Sequence, residues 1–155
     1  MERVDIDDID AQFLGDSDLD RRGLSDPLGT NDLAINYYAL DPGESFSGGM
    51  HTHMDQEEVF YVMEGTATFE TPEGTVEVGP HEAVRFARGD FQTGKNDTDE
   101  KVVALALGAP KGSRDIRVPM GCQKCDECDM LQFQMREDGN YLYCPECEHE
   151  FEAPV

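Results

Sequence analysis

Six short runs of β-forming residues, each closed by a turn signal, constrain this chain more than anything else in it. They are LAINYYAL (33–40), VFYVM (59–63), TATFE (66–70), TVEV (75–78), AVRFA (83–87) and VVALAL (102–107). DPG, EG, PEG, GP, RGD and KND punctuate the chain around them, and these are residues that reach φ > 0 or preset a turn. Strands at such short spacing, with no helical periodicity between them, predict an all-β sandwich or barrel over residues 31–110. The run at 59–63 is apolar on both faces. Phe60 and Val62, with Glu58, would line the inside, leaving Val59, Tyr61 and Met63 to be covered by another sheet or subunit.

Directly before that run stands HTHMDQEE, 51–58. In a strand, His51 and His53 share a face because side chains alternate. Met54, Asp55 and Gln56 can turn the chain so that Glu57 or Glu58 returns a carboxylate toward the pair. Two imidazoles and one carboxylate leave coordination positions open for water or substrate, and they suit Fe, Mn, Ni or Zn. Two surface histidines in a hairpin, beside two solvated glutamates, are the alternative. The glutamate, apolar strand and turn glycine that follow the histidines favour the metal site.

These residues resemble the first motif of the cupin superfamily: His51, His53, Glu58 and, six residues on, Gly65. The motif's leading glycine is displaced, since position 45 is Ser. GPHEAVRFARGDFQTGKN (79–96) is similar to the second motif, with Gly79, Gly89 and Asn96 in place. Ala87 stands for its proline and Gln92 for its histidine. The resemblance covers about residues 31–110 and implies a cupin jelly-roll barrel, a double-stranded β-helix of two antiparallel sheets. It implies a divalent metal inside, held by His51, His53 and Glu58. Gln92 leaves three states open: a three-ligand site, a fourth ligand through the weaker amide oxygen, or a site emptied of metal. Dioxygenase and isomerase chemistries both fit such a fold, so no catalytic residue is assigned. The resemblance further implies a homodimer through the face of Val59, Tyr61 and Met63. His81, in the GPHE turn, reads as a surface histidine. Arg85 and Arg88 are substrate candidates for a carboxylate at the barrel mouth, or else partners of the many surface acids.

Near the C-terminus, Cys125-x2-Cys128 and, fifteen residues later, Cys144-x2-Cys147 have the spacing of a four-cysteine zinc site. A hairpin turning at Asp138 and Gly139 would bring the pairs together. Cys122 makes a competing first pair with Cys125. The likeness of CDECDMLQF to CPECEHEF favours Cys125 and Cys128, with Cys122 as the alternate ligand and His149 a weaker one. The segment 122–152 resembles a zinc ribbon, too small to fold without its metal. Iron in a rubredoxin-like site, or a disulfide pair, is the minority reading. Residues 111–121, rich in Gly, Pro and Ser, read as a linker.

Composition enters through charge. Of 155 residues 34 are acidic and 12 are Lys or Arg, a formal charge of −22. The pattern resembles the acidic surfaces of proteins from salt-accumulating halophiles, where salt screens the self-repulsion. It offers phosphate backbones and anionic membranes no partner, and the ribbon, whose cations are Lys124 and Arg136, is no nucleic-acid module. No run approaches the ~20 apolar residues of a membrane span, and MERVDIDDID lacks a signal peptide's features, so the cytoplasm is expected. Residues 1–30 read as an acidic, solvated arm, although Ile6, Ile9 and Phe13 have the spacing of a short amphipathic helix. The expectation is a metal-binding barrel that acts on or binds a small-molecule ligand, with a zinc ribbon. The alternative is a non-catalytic ligand sensor using the ribbon to engage a protein partner.

Overall fold

The computed structural model describes residues 1–11 and 19–153. After a 3-10 turn at Ile6–Asp8, the chain forms β1 (Asp20–Gly23), β2 (Ala34–Leu40), β3 (Thr52–His53), β4 (Glu57–Glu64) and β5 (Ala67–Thr71). It continues with β6 (Gly74–Val78), β7 (Ala83–Phe86), β8 (Thr93–Lys95) and β9 (Val102–Ala109). The C-terminal part holds β10 (Ile116–Val118), β11 (Leu131–Arg136), β12 (Gly139–Tyr143) and β13 (Glu150–Glu152). Among the described residues no helix is long and apolar enough to cross a membrane.

Two antiparallel sheets make the barrel: β1-β2-β9-β4-β7 and β6-β5-β8. They face each other across an aromatic cluster. Phe69 of β5 lies 4.9 Å from Phe60 of β4 and 5.4 Å from Phe86 of β7, ring centre to ring centre, and Phe46 stacks on Phe69 at 5.6 Å. Leu40, Val62, Phe69 and Val102 are fully buried around it. Alternation along β4 places Phe60 and Val62 in this core and leaves Val59, Tyr61 and Met63 half-buried outside. There Val59 and Tyr61 lie in rows with Leu107 and Ile35, and with Leu105 and Tyr37. This outer apolar face is what a strand hydrophobic on both sides produces.

Gly65 closes the β4–β5 turn at φ +70, and a Cβ there would strike the Lys101 carbonyl oxygen. Only glycine satisfies both constraints. Asn96 is fully buried, and its amide donates to the Leu40 and Glu100 carbonyls while its oxygen takes the Thr98 N–H. Its place in the second motif is therefore structural, tying the end of β8 to β2.

Two segments depart from the sequence expectation. Residues 20–23 are not a solvated arm: β1 pairs with β2, Asp20 opposite Ala39 through Gly23 opposite Asn36, and Leu19 and Leu24 are buried on either side. Ile6 lies in the 3-10 turn, Ile9 follows it, and Phe13 lies outside the described residues. The segment 111–121 is not a plain linker either. Its β10 joins β11 on one side and β3 on the other, so the C-terminal sheet runs β13-β12-β11-β10-β3 and ends on the strand that carries His53.

Candidate metal centres

The barrel centre assembles from three backbone elements. His51 bridges to Gln92, exchanging N–H···O bonds of 3.1 and 2.9 Å. His53 lies in β3, and Glu58, the second residue of β4, faces inward opposite Phe86. One donor atom from each of His51, His53 and Glu58 lies within 4.8 Å of the others. Glu57 points the other way and accepts a 3.0 Å bond from Arg85 on the barrel's outer surface. Arg85, 61% exposed, is thereby occupied outside the barrel rather than aimed at its mouth. Arg88 lies exposed in the turn beyond β7. His81 is exposed too, at φ 66, with its Nδ1 3.2 Å from the Tyr61 hydroxyl.

Hydrogen bonds fix which ring nitrogen each histidine offers. His51 Nδ1 lies 2.8 Å from the Gly49 carbonyl, which only accepts, so Nδ1 carries the proton and Nε2 a lone pair. His53 Nδ1 lies 2.8 Å from Ser113 Oγ, and the Ser113 hydroxyl donates to Asp55 Oδ1 at 2.6 Å. Ser113 therefore accepts from His53, whose Nε2 is left bare 3.4 Å from Glu58 Oε1. Burial holds His53 below the ordinary imidazole value, reinforced by His51, with Glu58 and Asp55 pulling the other way. A neutral ring is the ligand form. His53 Nε2 and Glu58 Oε1 then face each other at 3.4 Å, a pair of donor atoms that a cation would bridge. Burial likewise opposes the charge on Asp55, but the Ser113 hydroxyl and the Arg114 and Asp115 N–H groups outweigh it and hold the carboxyl below its usual value.

Gln92 is 2% exposed. Its Nε2 donates to Glu58 Oε2 at 3.1 Å, which fixes the amide's orientation, because the reverse would set two oxygens against each other. Its Oε1 is then buried without a hydrogen-bond partner. An unpaired buried acceptor costs about 1–3 kcal/mol, and a bound cation beside it would offset that. The donor set therefore fits a divalent ion: two imidazoles, a carboxylate and a spare amide oxygen.

The second centre is made of thiols. Cys122, Cys125, Cys144 and Cys147 gather within 4.8 Å, and Cys128 is not among them. The Cys122–Cys147 and Cys125–Cys144 sulfur pairs are 3.7 and 3.6 Å apart. A tetrahedron with zinc–sulfur bonds of about 2.3 Å has edges of about 3.8 Å. The first pair is thus Cys122 and Cys125, against the pairing favoured by the internal sequence likeness. The backbone explains the difference. Cys144 N–H closes its loop onto the His149 carbonyl, and Cys122 N–H closes the equivalent loop onto the Cys128 carbonyl. Cys128 instead points its thiol at the Met130 carbonyl and packs with Leu131 and Leu142 as a small apolar residue. Burial opposes ionisation of Cys144, but the Cys147 and Glu146 N–H groups and the Cys147 and Cys122 thiols outweigh it, bringing the group down to about 6. At Cys125 the Glu127 N–H favours the thiolate, but burial and the other three thiols prevail and push it up to about 12. The Cys144 thiolate thus opposes ionisation of Cys125 and Cys147, and a dication at the centre would reverse that.

Sequence reasoning missed Ser113 and Asp55. Ser113 lies sixty positions from His53, and nothing local marks it.

Residues 36–108 match the cupin-domain family model. No curated protein matches the chain in sequence. Solved structures are similar in fold. The polyketide cyclase RemF from Streptomyces resistomycificus gives a TM-score of 0.65 at 24% identity, over 79% of this chain and 88% of that one. A sugar phosphate isomerase of the cupin superfamily from Silicibacter pomeroyi gives 0.62 at 20% identity, over 97% and 92%. A protein provisionally assigned as a sugar phosphate isomerase, from Acidithiobacillus ferrooxidans, gives 0.54 at 25% identity; the match covers 59% of this chain and 58% of that one. Strand order, aromatic core and the inward-facing His51, His53 and Glu58 agree with the match over residues 36–108: this part of the chain has the cupin jelly-roll fold.

Proposed function

We propose that the chain is a metal-binding cupin that takes a small molecule at the barrel mouth, beside a zinc-holding ribbon. The observation that carries this reading is the bare Nε2 of His53 facing Glu58 Oε1 at 3.4 Å, with the orphaned Gln92 Oε1 in the same site. His51, His53 and Glu58 would hold the ion, with Gln92 Oε1 as a fourth donor. Bound there, a divalent ion supplies Lewis-acid polarisation of an oxygen donor on the bound molecule. Phe46, Phe60, Phe69 and Phe86 pack the barrel interior, so the ligand meets the site from the rim. Cys122, Cys125, Cys144 and Cys147 would bind zinc, closed and structural, with four thiolates and no open position. The face of Val59, Tyr61 and Met63 is the surface we assign to a homodimer.

A ligand-sensing role, with the ribbon as the element a protein partner reads, is the second reading. It is favoured by the direct pairing of β10 with β3.

The Gln92 series tests the site. With Ni2+ as probe, Gln92→Ala should bind about tenfold more weakly than wild type, and Gln92→His more tightly, because late transition metals prefer imidazole. Equal affinity in all three proteins would remove Gln92 from the ligand set. Absence of binding in wild type for Mn2+, Fe2+, Ni2+ and Zn2+ at the barrel would leave only the sensing role.

A further inference from the structure

The two centres lie at opposite ends of one short segment. On one side of β10, Ile116 pairs with His53 and Arg117 with Thr52. On the other, Ile116 pairs with Phe133, Arg117 with Gln132 and Val118 with Leu131, in the first hairpin strand of the ribbon. Just before β10, Ser113 Oγ accepts a hydrogen bond from His53 Nδ1 and donates one to Asp55 Oδ1. The other oxygen of Asp55 takes the Arg114 N–H at 2.7 Å, and Met54 N–H bonds to the Asp115 carbonyl at 2.8 Å. Gln132 of β11 donates to the Arg114 carbonyl at 2.9 Å, so the ribbon also grips this segment. Just after β10, the chain supplies Cys122. From Ser113 to Cys122, a single stretch seats a barrel ligand and provides a ribbon ligand.

Its stability depends on the ribbon. The buried set there is only Cys122, Cys128, Leu131, Leu142 and Cys144, with Val118, Phe133 and Phe151 partly buried against it, so the apolar core is small and built around cysteines. Such a set does not hold a hairpin without a metal. When β11 loosens, the three residues of β10 keep pairing only with the two residues of β3. Ser113 then loses its seat, and His53 loses the partner that sets its ring and its tautomer.

We propose that metal occupancy of the four-cysteine centre sets the metal affinity of the barrel centre, with Ser113 as the positioning residue for His53. This rests on the reading of His51, His53 and Glu58 as a metal site. Coupling of this kind is reciprocal: a metal in the barrel slows zinc loss from the ribbon by way of the same contacts.

The test uses full-length protein carrying one zinc per chain and Mn2+ as the barrel probe, with free Mn2+ followed by its electron paramagnetic resonance signal. Ser113→Ala, with its zinc retained, should raise the Mn2+ dissociation constant about tenfold or more, the range seen when a ligand histidine loses its outer partner. Ser113→Thr keeps the hydroxyl and should stay within about twofold of wild type. Cys122→Ser, which removes the ribbon metal, should weaken Mn2+ at least as much as Ser113→Ala does. Cys128→Ser keeps four thiolates and should bind Mn2+ like wild type. Saturating Mn2+ should slow zinc transfer to a chelator in wild type and not in Ser113→Ala. Wild-type Mn2+ affinity in both Ser113→Ala and Cys122→Ser would overturn the coupling while leaving the barrel site intact. Failure of zinc-loaded wild type to bind either Mn2+ or Ni2+ would overturn the barrel reading and the coupling with it.

Discussion

The barrel and the ribbon each bring together potential metal ligands, but they stand in opposite relations to them. In the barrel, Phe46, Phe60, Phe69 and Phe86 build a core in which the candidate ligand side chains take no part, and His51, His53, Glu58 and Gln92 are aimed by hydrogen bonds to other groups of the protein. In the ribbon, two of the five buried residues, Cys122 and Cys144, are candidate ligands themselves, and Cys125 and Cys147 pack against the cluster. On the proposed reading, a metal would be a guest of the first region and a structural element of the second. Fold stability and metal affinity separate in one and coincide in the other.

The largest expected effect breaks or confirms that contrast at the ribbon. Removing one ligand with Cys122→Ser should abolish stoichiometric zinc, since structural zinc contributes about 10–16 kcal/mol to folding in small modules of this kind. Limited proteolysis should then cut within 122–152 and spare the barrel. Cys128→Ser should keep its zinc by elemental analysis. The opposite pattern would restore the pairing favoured by the internal sequence likeness.

Next comes the barrel core. Phe69 is fully buried, and Phe69→Ala should lower stability by about 3–5 kcal/mol in denaturant unfolding, whether or not the barrel holds metal. A loss seen only in metal-loaded protein would mean that the barrel, like the ribbon, depends on its ion.

A smaller effect follows from His53. Its folded value is depressed by burial, so as pH falls below about 6.5 the unfolded chain takes up this proton before the folded one. Stability of the metal-free barrel is therefore complete above that pH and declines below it, by at most about 1.4 kcal/mol per pH unit from this group. His53→Gln should remove that part of the slope in urea titrations across pH 5–7 (roughly the window of the ordinary histidine value).

The smallest effect concerns assembly. With −22 charges per chain, a dimer formed through Val59, Tyr61 and Met63 should tighten severalfold in sedimentation as KCl rises from about 0.1 to about 2 M. Tyr61→Glu should weaken it at every salt concentration. Dissociation on adding salt would assign that face to another role.

The strands legible in the sequence are β2, β4, β5, β6, β7 and β9, which each fall on one of the six β-forming runs, and β11 and β12, the hairpin expected to turn at Asp138 and Gly139. β1 was hidden because Leu19 and Leu24 are scattered in an acidic stretch, and what holds β1 is its pairing with β2. β10 was hidden because three residues among Gly, Pro and Ser carry no periodic signal, and its partners lie in distant parts of the chain. At the barrel site, the spacing of His51, His53 and Glu58 was legible because strand geometry makes it so. Ser113 was not, because a serine in a turn-rich segment becomes a histidine's partner only once β10 is paired. The choice between Cys122 and Cys128 turned on which carbonyl closes each loop, a backbone property that the cysteine spacing does not encode.

On the proposed reading, the inward carboxylate of β4, Glu58, is a metal ligand and its neighbour Glu57 is not. Calorimetric titration of Ni2+ into zinc-loaded full-length protein tests it most directly, comparing wild type with Glu58→Gln and Glu57→Gln. The account predicts one tight site in wild type, the same site in Glu57→Gln, and its loss or a weakening of about a hundredfold in Glu58→Gln, which keeps the shape and removes the charge. Equal affinity in wild type and Glu58→Gln, or equal loss in the two variants, would contradict it.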